Sequence, residues 1–352
     1  MRKTLILSLI FGVLFTSGIK TNKKESITGQ GEEFTINTKS IRINLKPYVS
    51  SGTKISLTHA IKYEAKYYCY FNEEWKAFAH SDVKHFFILS KDGKIEKSIE
   101  LPDPLQNCSY FDLFILHDTI YTKPYMREKS YYLDLKTSHW IETKAVDDVI
   151  YEDKRFYVTY LDFGEWGSTT WFTDKLSGKE YELKSSGTII NRVESGYYIT
   201  SNTKVLQIAD PLKMKECPID YYYETIKNKD FSYGSSSILG TKSIYNESTH
   251  SHSDFKEPKI HIVTSFKANS QLYYLCVDNV KTYIAKLVNK KLFPIQNISG
   301  KYSTFDWNYS YRCKIQNDGF QLLKFSSDKK NEYGFIELNG LKINIQYLKL
   351  IK

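Results

Sequence analysis

Residues 85–101 read HFFILSKDGKIEKSIEL, and this stretch decides the fold. It begins with an apolar run, continues through the turn sequence Ser90-Lys91-Asp92-Gly93, and ends with the apolar residues Ile95, Ile99 and Leu101 separated by polar ones. Alternation of apolar and polar residues is typical of a strand with one buried side, and an Asp-Gly pair readily forms a tight turn. The stretch therefore predicts a β-hairpin.

The same strand-turn-strand unit recurs along the chain. The second residue of its turn falls at Gly93, Ser138, Gly178, Lys213, Lys290 and Gly340. The intervals between these positions are 45, 40, 35, 77 and 50 residues, so the longest interval corresponds to two units. Two further strand-like segments precede each hairpin, for example residues 110–117 and 119–125. Four strands in a period of about 40–50 residues are typical of one blade of a β-propeller.

These repeats predict an all-β protein, a β-propeller with six blades of four antiparallel strands. A degraded seventh unit between residues 219 and 255 keeps a seven-bladed ring open, and a tandem β-sandwich is the alternative architecture. We expect residues 33–352 to form this single domain, with an insertion at about residues 219–258. The alternating segment at residues 33–45 is expected to join the last blade and close the ring.

Hairpins such as Phe-Ile-Leu-Ser-Lys-Asp-Gly-Lys-Ile at residues 87–95 resemble those of exported six-bladed β-propellers of the NHL-like class. The resemblance covers most of residues 60–350 and consists of the repeat period and the strand pattern. It implies a propeller fold and a binding role. It assigns no functional residue.

The N-terminus carries the features of a secretory signal peptide. Met1-Arg2-Lys3 precedes an apolar run at residues 5–15, and Thr16-Ser17-Gly18 supplies the small residues of a cleavage site. We therefore expect residues 1–18 to be a signal peptide, residues 19–32 a polar linker, and the mature chain to be exported, either periplasmic or secreted. The apolar run is shorter than the roughly 20 residues that cross a bilayer, so no integral membrane span is expected.

The charge of the chain indicates which classes of binding partner to expect. The chain has 49 Lys and Arg residues against 40 Asp and Glu residues, and its net charge of +9 falls to +7 without Arg2 and Lys3. The basic residues are scattered without a dense block, which predicts a solvated surface and disfavours nucleic acid as a partner. We expect a monomer that binds a protein or glycan ligand outside the cytoplasm.

Candidate ligand-binding residues lie on two predicted loops. In a four-stranded blade the loop between the second and third strands emerges on the same face as the links between blades, and such loops commonly carry function. The loop at residues 162–170 places Trp166 between glycines, where a ring could stack on a sugar or anchor a partner. The loop at residues 123–130 carries Tyr125 and Arg127. The alternatives are a ring folded back onto its blade and a solvated arginine.

A third predicted loop, residues 219–259, contains a candidate metal site. The run Ser-Thr-His-Ser-His-Ser-Asp-Phe places His250, His252 and Asp254 at alternate positions. On an extended strand these side chains point to one side, so with one more group they could ligate a transition metal. A flexible polar linker is the alternative, because no fourth ligand can be named. No cofactor is predicted.

Two functions from different classes remain open. The first is a non-catalytic binding or interaction module for a glycan, peptide or protein, which the aromatic loop and the lack of catalytic motifs favour. The alternative is an extracytoplasmic glycan-active enzyme, a hydrolase or lyase, built on the propeller axis. Asp162 and Glu165 share one loop, but two solvated acids are the simpler interpretation of that spacing, so no catalytic residue is predicted.

Overall fold

The computed structural model describes residues 33–50, 54–74, 83–108, 111–124, 129–185, 187–218, 221–222, 234–247, 259–298, 300–303, 319–327 and 332–352. These residues form six β-sheets arranged as a six-bladed β-propeller. The predicted fold class is therefore confirmed, and the described part of the chain is not a tandem β-sandwich. The predicted signal peptide and linker, residues 1–32, lie outside the described residues.

The first strand and the first three blades follow one another along the chain. The N-terminal strand is β1 (Thr35–Asn44). Blade one contains β2 (Lys54–Tyr63), β3 (Lys66–Glu74), β4 (Lys84–Leu89) and β5 (Ile95–Ile99), followed by the single helical turn α1 (Asp103–Gln106). Blade two contains β6 (Phe111–Leu116), β7 (Thr119–Pro124), β8 (Lys129–Asp134) and β9 (His139–Lys144). Blade three contains β10 (Val149–Glu152), β11 (Phe156–Asp162), the 3-10 turn Gly164–Trp166, β12 (Ser168–Asp174) and β13 (Glu180–Lys184).

The remaining blades depart more from the regular pattern. Blade four contains β14 (Ile189–Val193), β15 (Gly196–Thr200), β16 (Lys204–Ile208), an excursion with the 3-10 turn Pro211–Lys213 and β17 (Lys215–Cys217), and then β18 (Thr241–Asn246). Blade five contains β19 (Ile260–Ala268), β20 (Gln271–Asp278), β21 (Thr282–Val288) and β22 (Lys291–Ile298). Blade six contains β23 (Tyr302–Ser303), β24 (Phe320–Ser327), β25 (Tyr333–Asn339) and β26 (Lys342–Ile351).

The predicted hairpins correspond to the third and fourth strands of the blades, with one exception. The turns at Gly93 and Lys290 adopt positive φ angles of 84° and 63°. The fourth predicted hairpin, residues 205–218, is wrong: β16 pairs with β18, whereas β17 pairs with β13 of blade three. The chain does not fold back there because Pro211 begins a 3-10 turn, which Asp210 caps by accepting from the Leu212 N–H at 3.1 Å.

The excursion after β16 ties blade four to blade three. Met214 enters the apolar core between these two blades, and β17 then becomes a fifth strand on the outer edge of blade three. The chain returns to blade four as β18, which lies inside residues 219–258. This segment was expected to hold a degraded seventh unit, and its described strand instead completes blade four.

The ring closes through its N-terminal strand, as expected. β1 runs parallel to β26 over ten positions, from Thr35 opposite Lys342 to Asn44 opposite Ile351. Because blade six already has four strands of its own, β1 is a fifth strand on its outer edge. Just before β1, Phe34 is buried between blades five and six, and its backbone N–H and C=O are bonded to the side chain of Gln296 at 2.9 and 2.8 Å.

A buried ion pair joins blades one and six at the same seam. The carboxylate of Glu337 accepts from Lys62 Nζ at 2.8 Å and from the Tyr67 hydroxyl at 2.6 Å. Burial alone would raise the pKa of Glu337, but these donors and the Asn344 amide hold that pKa below its usual value. Removing these donors would leave a buried, unpaired carboxylate and would destabilise the fold. The contact between blades one and six therefore depends on specific polar partners as well as on apolar packing.

Polar groups on the first two strands of blades four, five and six bond to one another. The Asn191 amide of blade four donates to Ser265 Oγ of blade five at 2.9 Å, and Thr200 Oγ1 lies 2.7 Å from the same oxygen. The Gln321 amide of blade six donates to the Ser265 carbonyl at 2.8 Å. These bonds connect three successive blades through side chains that carry no charge.

Candidate functional site

The loop between β11 and β12 presents Trp166 on the face that also carries the links between blades. Phe163 N–H donates to the Gly167 carbonyl at 2.8 Å, which closes a tight loop around the turn Gly164–Trp166. Both glycines have positive φ angles, 65° at Gly164 and 93° at Gly167, which favour glycine over residues with a Cβ. Trp166 is 54% exposed, so about half of the residue is accessible at the top of this loop.

The backbone beneath Trp166 is fixed from two sides. The Trp166 carbonyl accepts from the Gly234 N–H at 3.0 Å, and Thr169 Oγ1 accepts from the Ser235 N–H at 2.6 Å. Phe163 is buried with Trp171 and Tyr222. The loop is therefore held by the excursion from blade four while its indole projects toward solvent.

The neighbouring acid Asp162 has a structural role. Its Oδ1 accepts from the Gly164 N–H at 2.9 Å, which stabilises the turn that carries Trp166. The Glu165 side chain lies outside the part of the chain that is described. The structure thus gives Asp162 a turn-forming role.

A polar cluster beside this loop was missed by the sequence analysis. Asp148, in the link between blades two and three, accepts from Lys123 Nζ at 2.9 Å and from the Tyr222 hydroxyl at 3.1 Å. The Asp148 N–H donates to the same hydroxyl at 2.7 Å. Next to it, the Tyr157 hydroxyl donates to Asp147 Oδ2 at 2.8 Å. The adjacent aspartates were visible in the sequence, but Tyr222, the partner of Asp148, lies 74 positions away in the excursion.

The wall of blade three below this cluster is unusually polar for a buried surface. Glu180 and Glu182 are only 2% and 4% exposed. Glu180 accepts from the Tyr222 N–H at 3.0 Å, and Glu182 accepts from Lys215 Nζ at 2.6 Å. The hydrogen bond that Lys215 donates to Glu182 raises the pKa of Lys215, and burial raises the pKa of Cys217 on the same strand to about 12. Buried carboxylates of this kind are tolerated only when donors satisfy them.

The other predicted site residues are not located by the structure. Tyr125 and Arg127 lie outside the described residues, although in the sequence Tyr125 follows Pro124, the last residue of β7, and comes two positions after Lys123 of the polar cluster. His250, His252 and Asp254 also lie outside the described residues, so both sets remain predictions. Within the described ranges, no three His, Cys, Asp or Glu side chains come together as a metal site. None of the helices there has the length and apolar character needed to cross a bilayer.

Comparison with known proteins yields a similarity at the level of the fold. No family model and no curated protein matches the chain. Among solved structures, the β-propeller domain of Cps50 (Swd1) from Myceliophteria thermophila aligns with 82% of this chain and all of that domain, at 7% sequence identity and a TM-score of 0.31. The class of protein, a six-bladed β-propeller, therefore follows from the sheet topology and not from a relative.

Proposed function

We propose that this protein is an exported, non-catalytic binding module. Its ligand is a glycan, peptide or protein outside the cytoplasm, and it binds the loop-bearing face at blades two and three. The observation that carries this proposal is the half-exposed indole of Trp166 on a backbone fixed by hydrogen bonds. A rigid aromatic side chain offers a large contact area and loses little conformational freedom on binding, which is why tryptophan is common among residues that dominate binding energy.

The polar cluster supports the same site. Lys123, Asp147, Asp148 and Tyr157 come from two neighbouring blades and are held by each other and by Tyr222. Pre-positioned polar groups beside an apolar ring provide orientation and specificity in ligand sites. Lys123 and Asp148 side chains retain 14% exposure each, so the cluster is reached from the solvent side.

The hydrogen bonding of the buried carboxylates favours a binding function over a catalytic one. Glu180, Glu182 and Glu337 each accept hydrogen bonds from nearby donors within the fold. Where the first two strands of blades four, five and six meet, the described side-chain contacts are made by amides and hydroxyls. A glycan-cleaving enzyme on the axis would need carboxylic acids there, with room for a sugar between them.

The test compares wild type with Trp166→Ala and with the control Leu176→Ala, whose side chain is 82% exposed on the opposite face. Binding to a panel of soluble glycans and peptides is measured by calorimetry, and each mixture is then analysed for cleavage products. We expect at least one unmodified ligand whose affinity falls about 30-fold in Trp166→Ala and stays unchanged in the control. Equal affinity for both variants, or cleavage of the ligand, would overturn the proposal.

Export is tested separately in the native host. Fractionation followed by mass spectrometry of the N-terminus should find the protein outside the cytoplasm with a new terminus after Gly18. An intact Met1 in the cytoplasmic fraction would rule out this part of the proposal without affecting the binding site.

A further inference from the structure

Basic and acidic residues are scattered along the sequence, but they are distributed unequally among the blades. Blade five, residues 259–298, carries six lysines against a single acid, Asp278. The described parts of blade six together with β1 carry seven basic side chains against two acidic ones. Blade three, residues 148–185, has the opposite balance of five basic and eight acidic residues. The ring therefore has a basic side at blades five and six and an acidic side at blade three, which bears Trp166.

Three of the six lysines of blade five lie at turns on one face of the ring. Lys267 lies at the turn between β19 and β20, while Lys290 and Lys291 lie at the turn between β21 and β22. In an antiparallel blade these two turns emerge on the same face, opposite the loop of Trp166. Lys342, at the corresponding turn of blade six, joins them, and we name these four exposed lysines the basic turns. Asp278 lies at the other end of β20, away from them.

The ion pairs of the described chain lie away from the basic turns. Its ion pairs join residues of blades one to four, apart from the seam pair between Lys62 and Glu337, and none of them includes a lysine of the basic turns. Nearby, Lys286 donates to the Gln271 amide oxygen at 2.8 Å, a partner without charge. The positive potential of the basic turns is thus not cancelled within the described fold.

We propose that the basic turns bind an anionic polysaccharide, a polymer that presents carboxylate or sulfate groups along a sugar chain. Clustered lysines on a smooth face attract repeated negative charge and release its counterions on binding. This surface is separate from the Trp166 site, so the two can engage one long glycan or two different ligands. The proposal does not depend on that site.

Two other polyanions fit the surface less well. A membrane surface is bound by lysines together with inserted apolar side chains, but the turns of blade five contribute Asn269, Ser270 and Asn289, and the exposed Leu176 on the same face belongs to blade three. Nucleic acids are typically contacted by arginine forks and by stacked aromatic rings. All six basic side chains of blade five are lysines, which act as point charges.

The experiment uses the mature chain and two triple variants of equal net charge. Lys267→Gln/Lys290→Gln/Lys291→Gln removes three of the basic turns. Lys136→Gln/Lys144→Gln/Lys154→Gln removes three exposed lysines from blades two and three and is the matched control. Affinity for heparin and for polygalacturonate is measured by calorimetry between 50 and 300 mM salt. Double-stranded DNA and vesicles with anionic lipids serve as competing probes, and circular dichroism checks that both variants fold.

We expect wild type and the control to bind at least one polysaccharide with an affinity that falls steeply with salt. The basic-turn variant should bind at least about tenfold more weakly and show a shallower salt dependence. Equal losses in both variants would mean that net charge alone is responsible and would overturn the proposal. So would the absence of polysaccharide binding, or tighter binding to DNA or to vesicles. If the basic-turn variant does not fold, single Lys→Gln variants at the same positions provide the same comparison.

Discussion

Blade three has two sides of opposite character. Phe172 and Trp171 are neighbours on β12, and they point to opposite sides of the sheet. Phe172 faces blade four, where it packs edge-on against Phe156 and Tyr197 at ring distances of 5.9 and 5.5 Å. Trp171 faces the other side, where Glu182 lies beside it on β13 and Tyr222 packs against it at 5.4 Å.

The difference shows how one blade can serve both stability and binding. The side toward blade four buries aromatic and aliphatic surface, which is the main favourable term in folding. The side toward blade two buries hydrogen-bonded charges, whose net contribution to stability is small but whose geometry is specific. The candidate site lies at the rim of this second side. A polar interface there positions Asp148 and the Trp166 loop without contributing much to the free energy of unfolding.

The largest effect is expected from Phe172→Ala. This ring is fully buried, and truncation leaves a cavity beside Phe156 and Tyr197. The free energy of unfolding, measured by urea titration, should fall by about 3–5 kcal/mol. Leu176→Ala, in the exposed turn after the same strand, should change it by less than about 0.5 kcal/mol. A loss below about 1 kcal/mol for Phe172→Ala would contradict the view that this side carries the stability.

An intermediate, pH-dependent effect is expected from Asp153→Asn on the same side. Burial alone would raise the pKa of Asp153, but the Phe156 and Arg155 N–H groups, the Tyr197 hydroxyl and Arg192 hold that pKa below its usual value. The stabilisation is therefore present above the unfolded-state value and lost as the pH falls through the folded-state value. At pH 7 the variant should be less stable by about 1–2 kcal/mol. This gap should shrink below about pH 4, and a gap independent of pH would exclude the carboxylate as its cause.

The smallest effect is expected from Thr159→Val on the side toward blade two. The Thr159 hydroxyl is buried without a hydrogen-bond partner among the described residues, whereas the equally buried Thr200 hydroxyl bonds Ser265. Thr159→Val should leave the free energy of unfolding within about 0.5 kcal/mol, and Thr200→Val should lower it by about 1–2 kcal/mol. Equal losses at the two positions would show that a buried water bonds Thr159.

The fold was predictable where the deciding residues were local. The turns at Gly93, Gly178 and Gly340 need a positive φ angle, and the glycine at each of these positions indicates such a turn in the sequence. The prediction of a hairpin around Lys213 was wrong because the spacing of apolar residues indicates a strand but does not indicate which sheet edge that strand joins. The parallel pairing of β1 was likewise invisible, since alternation is the same in parallel and antiparallel edges.

The candidate site was predictable only in part for the same reason. Trp166 stood out because glycines flank it, and the structure leaves its ring exposed. The bond between Asp148 and Tyr222 joins residues on separate elements, so no spacing pattern could reveal it. The basic turns were overlooked because Lys267 and Lys290 are far apart in the sequence. The two turns that carry them become neighbours only in the folded blade.

Because β1 pairs with β26, the ring can close only late in synthesis of the chain. Residues that pair in register, such as Asn37 and Asn344, are separated by 307 positions. At synthesis rates of about 5–20 residues per second, the first strand waits roughly 15–60 s for its partner to emerge. Until β26 has been made, the parallel pairing that closes the ring cannot form. The ten residues of β26 are therefore as important for ring closure as any residue in the core.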